Sequence, residues 1–180
     1  MTRKILAIAG SPTHPSRTYE LLEQAAKRLR AVGFEVDIVS ARDIPAEDLV
    51  FGKWDSSALE PIKTMLAAAD GVIISTPIYK ASYTGLLKSF LDLLPQKALY
   101  GKVVLPLATA GTIAHLLAIE YSLKPVLAEL GARHINSTVY VVDKQMQRQE
   151  DGSFLLDEEI EQRLNDSVQE LIEAVSAHHQ

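Results

Sequence analysis

The segment Gly10-Ser11-Pro12-Thr13-His14-Pro15-Ser16-Arg17-Thr18 places hydroxyls at 11, 13, 16 and 18 and a permanent charge at 17, immediately ahead of a helical repeat. A helix start offers backbone N–H groups without intrahelical acceptors and the positive end of the helix dipole. Hydroxyls and a guanidinium at that point make an anion cradle. Pro12 and Pro15 stiffen the loop and lower the entropy lost on binding. The Gly-Lys-Ser/Thr of a triphosphate loop is absent, as is the Gly-x-Gly-x-x-Gly of a dinucleotide fingerprint. A single terminal phosphate monoester, as in a mononucleotide, matches the cradle better. The competing reading is structural, with Ser16 capping a helix and Arg17 solvated.

A second group, Thr76-Pro77-Ile78-Tyr79-Lys80-Ala81-Ser82-Tyr83-Thr84-Gly85, follows a later apolar run. Pro77 and Tyr79 can form a rigid wall for a flat heterocycle, with free N–H groups of Ile78 to Lys80 meeting its edge. A Pro-x-Tyr turn that merely plugs a sheet end is the alternative. Thr109-Ala110-Gly111-Thr112 supplies small residues where a ligand can approach the backbone, and equally a plain helix start. His115 falls one turn into the next helical pattern, where a lone histidine is more often structural. His14, His134, His178 and His179 show no ligand spacing, so no metal is expected. Pro125 lies well inside the same pattern and cannot bond to the carbonyl of Tyr121, which predicts a π-bulge or kink there. The apolar run His115-Leu116-Leu117-Ala118-Ile119 points to cover by a second subunit, or to simple core packing.

These groups need a scaffold that brings them to one edge. Apolar runs of strand length recur at Lys4–Ala9, Phe34–Ser40, Gly71–Thr76, Lys102–Ala108 and Ile135–Val142, too apolar for a one-sided sheet. Helical spacing fills the gaps, over Ser16 to Val32, Leu59 to Ala69, Thr84 to Leu94, Thr112 to Leu130 and Asp157 to Val175. The alternation predicts an α/β fold, a doubly wound parallel sheet with helices on both faces. Ligands of such sheets sit beyond the carboxyl ends of the strands, where all three groups lie. Residues 143–156, polar around Gly152, read as a flap or interface loop.

With 180 residues, 47% hydrophobic and 23% charged, the chain fits one domain over 1–180. The absence of cysteine removes thiol nucleophiles, disulfide exchange and protein-held iron–sulfur clusters, so redox work would rest on a bound cofactor. A net charge of −5 argues against nucleic acid and anionic membranes as partners. Met1 to Lys4 carries the charge of a signal peptide, but the apolar run Ile5 to Ala9 is shorter than the roughly 7–15 residues required. No stretch approaches the about 20 apolar residues of a membrane span, so a cytoplasmic location is expected.

Taken together, the loops resemble the NADPH-dependent FMN reductases of the flavodoxin-like superfamily, most closely the two-component reductases that feed alkanesulfonate monooxygenases. The resemblance runs through Ala9-Gly10-Ser11-Pro12, Pro15-Ser16-Arg17, the 76–88 segment, Gly101 to Thr109, Gly111 to Ala118, Tyr121 and Leu123 to Leu127. It implies a five-stranded flavodoxin-like sheet of order 2-1-3-4-5. It also implies FMN, with phosphate on Ser11, Ser16, Arg17 and Thr18 and its ring along Pro77, Ile78, Tyr79, Lys80, Gly111 and Thr112. NADPH, or NADH in its place, is the implied hydride source. Homodimers or homotetramers and a flavin-dependent monooxygenase partner, in sulfonate-sulfur acquisition, are implied as well. Tyr121, with His115 nearby, matches an interface π-helix linked to flavin release. The tail Asp143–Gln180 departs from those proteins. Two alternatives follow from the same loops: a quinone, azo-dye or metal-ion reductase with tightly held FMN, and an electron-transfer module without pyridine-nucleotide activity.

Overall fold

The computed structural model describes residues 2–177; the His178-His179 pair lies outside them. Strands β1 (Lys4–Ala9), β2 (Glu35–Ser40), β3 (Gly71–Pro77), β4 (Val103–Ala110), β5 (His134–Ile135) and β6 (Val139–Val142) form one parallel sheet. Its order is β2-β1-β3-β4-β5, with β6 paired to the carboxyl half of β4. The flavodoxin-like order 2-1-3-4-5 is therefore present. The expected fifth strand is split in two, because the polar triplet Asn136-Ser137-Thr138 interrupts its apolar run while both pieces stay on β4.

Every residue of β3 and β4 is buried, as a sheet covered on both faces requires. On one face lie α1 (Arg17–Ala31) and α6 (Glu158–Ala177); on the other lie α3 (Glu60–Ala68), α4 (Gly85–Asp92) and α5 (Lys124–Glu129). A short helix, α2 (Ala46–Val50), whose five residues are too few to show a repeat in sequence, adds Leu49 to the second face. Helix α1 shows how the sequence specifies these elements. Leu21, Leu22, Ala25, Ala26 and Leu29 recur at helical spacing and are buried, each leucine worth about 1.5–3 kcal/mol. Ser16 caps its start by accepting from Tyr19 N at 3.4 Å. Gly33, at φ +90°, turns the chain out of its end.

Two segments differ from expectation. The helix expected over Thr112–Leu130 is a 3₁₀ turn at Ile113–His115, a π-helix at Ile119–Leu123 and then α5. Pro125 has no N–H and its ring excludes the carbonyl four residues back, so the ladder shifts: Lys124 N donates to Ile119 O, five residues earlier. The predicted irregularity at Tyr121 is this π-helix. Residues 143–156 are not a free flap. They contain an antiparallel hairpin of β7 (Met146–Arg148) and β8 (Phe154–Leu156), with Met146 and Leu156 buried and Phe154 O accepting from Gln24 Nε2 at 2.9 Å. No helix among the described residues is long and apolar enough to cross a membrane.

Candidate functional site

Because β1, β3, β4 and β6 run the same way, their carboxyl ends open onto one cleft. Ser11, Ser16, Arg17, Thr18, Pro77, Ile78, Tyr79 and Gly111 all line it. Lys80 and Thr112, expected beside them, are outside its lining, as are His115 and Tyr121. Asp143, missed in the sequence, is inside. It follows β6 directly, and the rule that directed attention to the other strand ends applied to it as well.

The first loop is a built cradle. Ser11 is buried, and its Oγ lies 3.3 Å from both the amide and the hydroxyl of Thr13. Arg17 and Thr18 open α1, where their amides have no carbonyl a turn earlier to bond. The Arg17 side chain is 45% exposed, with Nη1 4.0 Å from Asp143 Oδ2 and Cζ 5.8 Å from the Phe154 ring centroid. Thr18, expected to offer its hydroxyl to the anion, is placed differently. It is buried, and its Oγ1 lies 2.5 Å from Thr109 Oγ1, tying the start of α1 to β4. Ser16 both caps the helix and lines the cleft. Gly10 lets the loop leave the sheet close to its neighbours: its N donates to Ser75 O at 2.7 Å and its carbonyl accepts from Thr84 Oγ1 at 2.7 Å.

The opposite wall comes from the ends of β3 and β4. Ile78 N donates to Thr109 O at 2.8 Å and Tyr79 N to Ser82 O at 2.9 Å. The free amides expected at 78 and 79 are thus spent within the protein, leaving Lys80 N of the three. Tyr79 and Ser82 close a two-residue turn in which Lys80 (φ 51°) and Ala81 (φ 63°) both take left-handed backbone. Two such non-glycine residues cost about 1–3 kcal/mol each, and the turn holds Tyr79 half-exposed at the cleft. On the β4 side, Tyr140 Oη donates to Thr112 O at 2.8 Å. Burial pushes the Tyr140 phenol above its ordinary pKa, further from any ionisation at neutral pH. A Cβ on Gly111 would meet nothing within 4 Å, so this wall keeps space beside it.

The donor chemistry is divided accordingly. One end of the cleft offers hydroxyls, unpaired helix amides and a guanidinium, the set a phosphate monoester needs. The other offers Pro77, Tyr79 and a side-chain-free Gly111, a slot for a flat ring. Away from it, Ile113, Leu116, Leu117 and Tyr121 are exposed apolar side chains on the 3₁₀ turn, the π-helix and the residues between them, with Tyr121 78% exposed.

Comparison with known proteins gives the chain's family. The family model described as NADPH-dependent FMN reductase matches residues 3–147. An FMN reductase (NADPH) of Escherichia coli (strain K12) is 49% identical over 143 residues, covering 79% of this chain and 75% of the relative. A protein of the same description from Pseudomonas putida is 44% identical over 166 residues, covering 92% of this chain and 84% of the relative. Among solved structures, the apo form of the NADH:FMN oxidoreductase EMOB superposes with a TM-score of 0.85 at 38% identity, over 94% of this chain and 88% of that one.

Proposed function

Since the chain belongs to the NADPH-dependent FMN reductase family, and is an oxidoreductase acting on FMN with NADPH, we propose that the cleft at the carboxyl edge of the sheet is where FMN is held. The observation that carries this assignment is the meeting, in one cleft, of the α1 cradle with the Pro77, Tyr79 and Gly111 wall. Ser11, Ser16 and Arg17 take the phosphate, with the amides of Arg17 and Thr18. Pro77, Ile78, Tyr79 and Gly111 face the ring, and Lys80 N is the amide left for its edge. When both are bound, the flavin and the nicotinamide supply the redox chemistry, a two-electron hydride transfer from nicotinamide C4 to flavin N5. The protein's part is to hold, orient and exclude water, so no side chain need act as acid or base.

We further infer that FMN is a diffusible substrate, which leaves reduced for a partner flavin-dependent monooxygenase in the cytoplasm. An Arg17 already shared with Asp143 supports modest affinity. The test is NADPH oxidation by gel-filtered protein with FMN added from zero. Saturable dependence on FMN by a nearly colourless protein is expected. A yellow protein indifferent to FMN but accelerated by a quinone or azo dye would replace this reading with that of a prosthetic flavin.

The exposed patch around Tyr121 supports assembly of identical chains into dimers or tetramers, since apolar surface clustered on one segment marks an interface. Tyr121→Ala is expected to lower the assembly state in sedimentation and to change the rate of flavin release. If neither moves, the patch is not the interface.

A further inference from the structure

Arg17 and Asp143 are the two charged residues lining the cleft among the described residues, and they face each other at 4.0 Å. Asp143 begins a 3₁₀ turn pinned by Val142 N donating to Gln145 Oε1 at 2.9 Å. The Arg17 guanidinium also lies over the Phe154 ring, on a strand anchored to α1 through Gln24. That strand lies beyond the 3–147 region matched by the family model. A phosphate dianion bonded to this guanidinium would have the Asp143 carboxylate, of like charge, close beside it.

We propose that Asp143 is a built-in competitor for the flavin phosphate: its carboxylate partners Arg17, must yield that partner to the incoming phosphate, and weakens FMN binding through the phosphate end alone. The proposal rests on the cleft being the FMN site. Asp143 is a positioning residue by this account, and its chemistry suits an enzyme that must let its flavin go. The half-exposed pair is itself weak, so losing it costs little. The repulsion between carboxylate and dianion is the larger effect, and it is screened by salt.

The experiment is fluorescence titration of FMN and of riboflavin, which lacks the phosphate, into the whole protein, its Asp143→Asn variant and its Asp143→Ser variant. At low ionic strength both variants are expected to bind FMN about 3- to 10-fold more tightly. The advantage should shrink toward unity at about 0.5 M salt, and riboflavin affinity should stay within about twofold throughout. FMN affinity that is unchanged or weaker in the variants, or FMN and riboflavin shifting together, overturns the proposal while leaving the site assignment intact. Unmodified protein that shows no saturable FMN binding overturns the site assignment, and the proposal with it.

Discussion

Replacing Arg17 by Ala should raise the Kd for FMN by roughly 10- to 150-fold, the equivalent of the about 1.5–3 kcal/mol that a charged hydrogen bond contributes. Three features support so large an effect at a partly exposed residue. The guanidinium stands at the first position of α1, next to the amides that the helix cannot bond internally. It supplies the cleft's positive side chain. Its fold-stabilising ties are weak, a 4.0 Å contact to Asp143 and a ring contact at 5.8 Å, so truncation should leave the protein folded. Riboflavin binding is the control. If Arg17→Ala weakens riboflavin as much as FMN, or weakens neither, the guanidinium does not hold the phosphate.

Gly10→Ala should be the most disruptive single methyl in the site. A Cβ there would lie 2.8 Å from the carbonyl oxygen of Ser75 and 2.9 Å from Leu87 Cβ, one in β3 and the other in α4, both fully buried. Relief requires β1, β3 or α4 to shift, an overpacking cost of about 1–3 kcal/mol. At about 2–4 °C per kcal/mol for a chain of this size, Tm should fall by roughly 2–12 °C. The shift also disturbs the Gly10 carbonyl bond to Thr84 and the cradle that follows, so FMN affinity should fall with stability. Gly85→Ala is the matched comparison: a Cβ at that first residue of α4 meets nothing within 4 Å, and Tm should hold or rise. Equal Tm for the two variants would contradict the packing described for Gly10.

The fold was legible where local and tertiary demands coincide. Ser16, the repeat of Tyr19, Leu22, Ala26 and Leu29, and Gly33 define α1 by capping, periodicity and turn chemistry, all of them local. The predominantly apolar runs at 71–76 and 102–108 required cover on both faces, and the sheet is built that way. Pro125 was equally readable, because a missing N–H has a consequence at a known distance along the chain. The reading failed where a residue's partner is remote. Nothing near Thr18 points to Thr109, 91 residues away, and nothing near Ile78 says that its amide is spent on the end of β4. The hairpin of β7 and β8 escaped because its three-residue strands are too short to show alternation and are held by α1 rather than by each other alone.

What the sequence determined by itself, then, is the main strands and helices of the sheet, their parallel arrangement and the loops that line the cleft. Periodicity, capping and strand burial act over a few neighbours and can be read in order along the chain. Only the tertiary structure decided which amides and hydroxyls remain available at the cleft, and that Asp143 stands against Arg17. Hydrogen bonds and charges act through space, and the chain segments that supply these partners lie on different strands.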